Sequence, residues 1–394
     1  MWSMWIKIAL WKRSILALVL GFLFGIFFSE QAIYIQPIGD LFIKLLKMII
    51  TPLIFITLLH SLSQLTSAKS ISILAFKSLL WFILTTIFAT ILAIFITEMV
   101  SPGIGLEANI STIKKASSAT QPSVISTLLN VIPANPLQSF LDANILQVIF
   151  LAIIAGIALI NISVKKDALI EIINTSNAMI TYLISLLMEV MPFGIFALLA
   201  VSASTFGEEL ILKLIYLIII MILTSMIHVF VVYSILLKIY GINVITFFKN
   251  IFEAMLIGFS TSSSTATLPT SILCAQKENI KENVYSFILP LGATINMNGS
   301  AIYQAISAVF IAQIIGFDLN FYHYFAIVIT TLLASIGTAG VPGAGLLMLT
   351  LVLSVVGLPI EGIAIMAGVD RILDMIRTAV NITGDLVVAK ILSK

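Results

Sequence analysis

Charge is scarce in this sequence. Asp, Glu, Lys and Arg make up 10% of its 394 residues, against about a quarter in a soluble domain, and 60% are hydrophobic. At a mean hydropathy of +1.17 there is too little polar surface to face water on every side. Cysteine is almost absent: Cys274 alone excludes an intrachain disulfide and a cysteine metal site. The histidines, His60, His228 and His323, stand far apart, with no acidic residue at metal-ligand spacing; each reads as a packing or interface residue. No Ser/His/Asp order and no nucleophile–base pair is visible, so nothing points to an enzyme. The net charge of +2 comes from scattered basic residues rather than a patch, which removes nucleic acid as a partner.

Long apolar runs take the place of charge. They predict helices over about 10–28, 38–65, 71–100, 143–162, 168–204 and 210–240, several beyond the roughly 20 residues that cross a bilayer. The chain reads as an integral, all-α polytopic membrane protein. Basic Met1–Arg13 ahead of apolar Ser14–Phe28 has the form of a signal peptide, but no small-residue cleavage site follows, and a retained first helix is expected. Residues 101–142, with four prolines, are too polar to span and read as an external insertion. A cytoplasmic N-terminus gathers Lys7, Lys12, Arg13, Lys69, Lys77, Lys165, Lys166, Lys238, Lys249, Lys277, Lys281, Lys390 and Lys394 on the inner side. Only Lys114, Lys115 and Lys213 then fall outside. Lys44 and Lys47 do not fit this scheme unless they snorkel.

The C-terminal third departs from simple spans. Residues 250–276 and 325–358 are interrupted by GFSTSSSTATLPTS and ASIGTAGVPGAG, and each precedes a helix with a polar centre, 285–315 and 360–392. This broken, polar, broken, polar order is a weak internal repeat, as in transporters whose discontinuous segments meet at the bilayer midplane. Irregular backbone survives at that depth only where protein or a watery cavity covers it. The signs work when the first broken segment enters and leaves from inside and the second from outside, making both re-entrant hairpins.

The strongest chemical signal is DRILDMIRTAVNITGD, Asp370 to Asp385. At about 100° per residue, Asp370, Arg371, Asp374, Arg377, Thr378, Asn381 and Asp385 share an arc of about 120°. A charge at mid-membrane costs at least about 2.5–3.5 kcal/mol, so this arc needs a wet cavity or partners. The bland alternative is an interfacial helix, or charges that only pair with each other. Arg377 offers a planar fork to a carboxylate, Asp374 suits an ammonium one turn away, and Asn381 and Thr378 can take remaining polar contacts. Two carboxylates and one amine satisfy that set: aspartate or glutamate. In PLGATINMNGSAIYQ, Pro290, Gly292 and Gly299 weaken a helix while Thr294, Asn296, Asn298 and Ser300 supply oxygens, a hard-cation site of the kind sodium uses; a kinked helix bonded to neighbours is the alternative. Ser260–Ser264 fits a hairpin tip presenting hydroxyls and N–H groups to an anion. Gly337–Gly345 fits a flexible tip acting as a gate.

Through SSSTATLP, LPLGATINMNGSAIYQ, ASIGTAGVPGAG and DRILDMIRTAVNITGD, with KLLKMIITPLIF and NILQVIF earlier, the chain resembles the dicarboxylate/amino acid:cation symporter family over nearly its whole length. The resemblance implies eight membrane helices plus two re-entrant hairpins, assembled as a homotrimer in the bacterial inner membrane with both termini cytoplasmic. Residues 1–240 would be mostly scaffold, with helices 3 and 6 moving alongside a transport region, 250–394, that works as an elevator. It implies a substrate site of Ser264, Ser300, Val341, Gly345, Arg371, Asp374, Arg377, Thr378 and Asn381. It further implies one sodium site at Gly292, Asn296, Asn381 and Asp385, and a second at Thr294, Met297, Ser335, Ile336 and Thr338. A third would use Thr85, Thr86, Asn296 and Asn298. That third set is weakened, because Asn298 stands where members usually have Asp and Phe82 where some have Tyr. Arg371 would supply the charge that some members carry at the position of Ser262. Gln304 replaces the Glu of proton-coupled animal members, which argues against potassium countertransport.

The expectation is therefore a symporter of acidic amino acids driven by sodium, with protons as the alternative coupling ion and no other cofactor. A C4-dicarboxylate carrier would leave Asp374 facing a substrate without an ammonium. A neutral amino acid carrier would leave Arg377 unpaired, and a channel or receptor that has lost coupling has only Asn298 in its favour.

Overall fold

The computed structural model of the chain describes residues 10–63, 69–105, 132–142, 144–162, 166–207, 209–338, 340 and 342–394. Val341, and most of the insertion expected over 101–142, lie outside these residues. The described residues form helices and turns, with no strand among them. A chain this apolar must satisfy its backbone groups internally, and helices do so within one segment.

The helices are α1 (Leu10–Phe27), α2 (Ala32–Ser63), α3 (Lys69–Val100), the short α4 (Pro136–Leu141), α5 (Ile145–Asn161) and α6 (Asp167–Phe206). Next come α7 (Glu209–Ile227), a π-turn (His228–Val232) and α8 (Tyr233–Ile239) as one continuous run. The C-terminal part holds α9 (Val244–Thr261), α10 (Ser264–Lys277), α11 (Glu282–Ile295), α12 (Asn298–Ile314), α13 (Phe321–Gly337), α14 (Ala344–Val356) and α15 (Ile363–Leu392). Among the described residues, five stretches are long and apolar enough to cross a membrane: Ala32–His60, Ile73–Val100, Asp167–Ser204, Glu209–Ile239 and Val244–Thr261. The second expected span begins earlier than position 38, at Ala32, and runs through Pro37 and Pro52. The π-turn has no counterpart in the sequence reading.

Packing divides the helices into two neighbourhoods. In the first, α6 lies along α1 and α2, and α2 also packs on α5. Arg13 of α1 is buried and reaches Glu189 of α6 through both terminal nitrogens, at 2.6 and 3.2 Å. In the second, α15 is the hub, packed on α9, α12, α11, α7, α10 and α3, and it also packs on α6. Helix α12 is almost fully enclosed; apart from Gln313 each of its residues is buried.

Both interrupted segments fold as pairs of mutually packed helices. At the first, Ser262 turns into the left-handed region (φ 53°), and extended Ser263 caps α10 by accepting the N–H of Ala266 at 3.2 Å. The far end is tied antiparallel, Asn250 donating to Glu278 at 2.7 Å and Lys277 meeting Glu253 at 2.9 Å. Lys390 of α15 also pairs with Glu278, at 3.0 Å, fastening this hairpin to the hub. The break expected in 285–315 falls between Ile295 and Asn298, where α11 stops and α12 begins.

Candidate functional site

Helix α15 frames the site. Asp370, Arg371, Asp374, Arg377, Thr378, Asn381 and Asp385 are all buried, whereas Ile372, Met375, Ile376 and Ala379 on the opposite arc are partly exposed. The charged arc faces the surrounding helices, so an interfacial helix is not what the fold builds.

Arg377 sits at its centre, 0% exposed. Its Nη2 donates to Asp374 Oδ1 at 2.7 Å, Nη1 lies 2.9 Å from Asp370 Oδ1, and the guanidinium covers the Tyr303 ring at 4.1 Å. The Asp370 contact is close but out of line for a hydrogen bond, so Arg377 Nη1 and Nε and Asp370 Oδ1 have no hydrogen-bond partner among the described residues. The other Asp374 oxygen accepts the Gly343 N–H at 2.9 Å and lies 3.6 Å from Arg371 Nη1. Two cations and two carboxylates thus neutralise one another away from bulk water. A buried donor left unmade costs about 1–3 kcal/mol, which directs the two spare Arg377 groups toward an added acceptor.

The two hairpin tips close over this arc and meet each other. The Gly340 carbonyl accepts the Ser263 hydroxyl at 2.9 Å and the Thr265 N–H at 3.3 Å. Gly340 has no room for a side chain, because a Cβ would stand 2.5 Å from the Ala293 carbonyl oxygen. Gly343 adopts φ +79° and presents its N–H to Asp374, while a Cβ at Gly345 would lie 3.0 Å from Arg377 Cζ. The second tip therefore approaches the charged pair with backbone at Gly343 and Gly345; Val341 lies outside the described residues. Ser264 is the buried first residue of α10, but its neighbour Ser263 makes the tip-to-tip bond. Ser263→Ala removes the tip-to-tip bond to Gly340, worth about 0.5–1.5 kcal/mol, together with the cap on Ala266 N–H at the start of α10. The expected result is a roughly 2- to 10-fold faster release of bound substrate in a stopped-flow experiment, with little change in the association rate.

The oxygens expected to hold cations fall into three groups. Asp385 is buried and accepts Asn296 Nδ2 at 2.8 Å; the described ion pairs give it no cationic partner, and Asn296 Oδ1 is buried without a donor. A Cβ on Gly292 would collide with the Asp385 carboxylate. Asn381 lies one turn before Asp385, with its Oδ1 on the Gly299 N–H at 2.7 Å and its Nδ2 on Met297 Sδ at 3.1 Å. A lone buried carboxylate beside an undonated amide oxygen suits a small cation. In the second group, Thr294, Ser335 and Thr338 each donate to a carbonyl of their own helix, at 2.9, 2.7 and 2.6 Å. Their helices pack together, and no hydrogen bond joins them across that contact among the described residues. In the third, Thr85 and Thr86 each bond directly to Asn298, and Asn296 turns to Asp385 instead. Ser300 is buried near the start of α12, and Thr378 donates to the Asp374 carbonyl at 2.9 Å.

Asp370 and Tyr303 are functional neighbours that sequence reasoning left out of the substrate site. Asp370 was visible on the shared arc; Tyr303 had no signal beyond lying one turn from Ser300.

Residues 10–394 match the family model described as the sodium:dicarboxylate symporter family. A proton/sodium-glutamate symport protein of Bacillus subtilis (strain 168) is 34% identical over 99% of this chain and 93% of its own length. Its counterpart in Geobacillus stearothermophilus is 32% identical over 98% and 94%. A C4-dicarboxylate transport protein of Pectobacterium atrosepticum is 32% identical over 98% and 91%.

Proposed function

The chain belongs to the sodium:dicarboxylate symporter family and is an integral membrane transporter, and from that premise we propose that it imports acidic amino acids, aspartate or glutamate, together with sodium. The observation that carries this reading is the closed Asp370–Arg377–Asp374 pairing beneath the two hairpin tips. Binding becomes an exchange of ion pairs. A substrate carboxylate takes Asp374's place on Arg377, and the substrate ammonium takes Arg377's place on Asp374. Both ends must be present for the exchange to balance, and the second carboxylate that an amino dicarboxylate brings would be offset by the co-transported sodium. Ser264, Ser300, Thr378 and Asn381, all buried, would take the remaining polar contacts. Sodium, as the co-transported ion, would neutralise Asp385.

On this reading residues 250–394 form the moving transport region, with α3 and the α7–α8 run. The α1, α2, α5 and α6 neighbourhood is the scaffold of a homotrimer in the lipid of a bacterial inner membrane, with both termini cytoplasmic. The packing of α6, more extensive on α1 and α2 than on α15, supports that division. Arg371 favours one second reading. At 3.6 Å from Asp374 it could satisfy that carboxylate in place of an ammonium, and a C4-dicarboxylate would then bind. The deciding experiment is uptake into proteoliposomes of labelled aspartate, glutamate and succinate in parallel, under an inward sodium or an inward proton gradient. Aspartate or glutamate accumulation driven by sodium is expected. Accumulation that follows only the proton gradient overturns the sodium assignment, and succinate as the sole substrate overturns the amino acid assignment.

A further inference from the structure

Asn298 stands at the start of α12 with its side chain in a cluster of hydroxyls contributed by two other elements. Its Oδ1 lies 2.6 Å from Thr86 Oγ, and its Nδ2 donates to Thr85 Oγ at 3.0 Å and to Tyr233 Oη at 2.7 Å. All four residues are buried. Thr86 has a single hydroxyl proton, yet two acceptors stand close, Asn298 at 2.6 Å and the Phe82 carbonyl at 2.7 Å. Rotating the amide end for end resolves this: its NH2 then donates to Thr86, whose proton serves Phe82, and its oxygen accepts the Tyr233 hydroxyl. In either orientation an NH2 group points into the cluster, so Asn298 contributes at most one oxygen.

A cation needs the reverse arrangement. Hard ions gather oxygen lone pairs at about 2.3–2.6 Å, so neighbouring ligands on one shell stand roughly 3 Å or more apart. Here the groups touch at 2.6 and 2.7 Å, with the ion's place taken by their own hydrogen bonds. No carboxylate joins them; the nearby Asp385 is engaged by Asn296 at 2.8 Å. Tyr233 is built into the cluster deliberately by the backbone. It follows the π-turn His228–Val232, its ring packs on His228 at 4.5 Å, and a Cβ on Gly384 would stand 2.5 Å from its hydroxyl. π-turns inside helices recur at functional positions. This one brings Tyr233 from the α7–α8 run onto α12.

We propose that Asn298 and Tyr233 close the third cation position, replacing an ion with a neutral hydrogen-bonded lock that joins α3, α8 and α12. Each cycle then carries one cation fewer than three oxygen sets would hold. The inference rests on the symport reading above but is tested without substrate. Purified wild type, Thr86→Val and Asn298→Asp are melted over a range of sodium chloride, with choline chloride holding the ionic strength. The slope of stability against the logarithm of sodium counts the ions taken up on folding. Thr86→Val is expected to melt at a lower temperature with the wild-type slope, because it breaks the lock and removes no ligand. Asn298→Asp is expected to gain one ion in slope, because three hydroxyls then face a carboxylate. A Thr86→Val slope lower by one ion, or an Asn298→Asp slope equal to wild type, overturns the proposal. Should Asn298→Asp fail to fold, the Thr86→Val slope decides alone. A wild type without any sodium response would sink the coupling reading instead, and a gain in Asn298→Asp would still stand.

Discussion

Replacing Arg377 by alanine is expected to weaken acidic substrate binding by about 10²- to 10⁴-fold. A bidentate contact from a guanidinium comprises two charge-assisted hydrogen bonds at about 1.5–3 kcal/mol each, and each 1.4 kcal/mol is tenfold in affinity. Equilibrium titration with labelled aspartate measures it directly. The same substitution strands Asp370 and Asp374 in a buried site, where breaking one side of an ion pair costs about 3–5 kcal/mol. A lower melting temperature should accompany the lost affinity, so the two readings must be separated. Arg377→Lys does this, keeping the charge that serves the two carboxylates while losing the planar fork. It should melt close to wild type and still bind aspartate at least tenfold more weakly. An unchanged affinity in either variant would remove Arg377 from the substrate site.

Asp385→Asn is expected to move stability in opposite directions with and without sodium. Without the ion, wild type holds a buried carboxylate supported by Asn296 and by no cation among the described residues. Neutralising it removes a desolvated charge, and the variant should melt at an equal or higher temperature. With sodium in hundredfold excess over its dissociation constant, a site present in the folded protein adds about 2.7 kcal/mol. Wild type gains that increment and Asp385→Asn should not, so the curves cross as sodium rises. Parallel curves would show that Asp385 holds no ion.

The charged arc of α15 was legible because two rules coincide on it: helical periodicity puts the residues on one face, and a membrane forbids exposing them. The hairpins were legible for a related reason. The serine run and the glycine cluster break helices at a depth where a break has to be covered. What stayed hidden was set by tertiary partners or by single dihedral angles. The choice of Ser263 over Ser264 as the bridge to Gly340 follows from the left-handed turn at Ser262, and a run of like serines does not encode which one turns. The predicted span started at 38, yet α2 starts at Ala32 and passes through Pro37. Nothing in His228–Val232 marks an extra residue in the turn, so Tyr233, 65 positions from Asn298, could not be paired with it.

The neutral arrangement around Arg377 has an electrical consequence. Arg371 and Arg377 balance Asp370 and Asp374, so the buried core without its cargo carries only the charge of an ionised Asp385. An acidic amino acid with two sodium ions adds one net positive charge and brings the loaded core to zero. Membrane voltage, worth about 2.3 kcal/mol per charge per 100 mV, then has little hold on the loaded step. On the proposed elevator and sodium-symport reading it would act on the returning empty core, and an inside-negative cell would drive that single negative charge back toward the outer face.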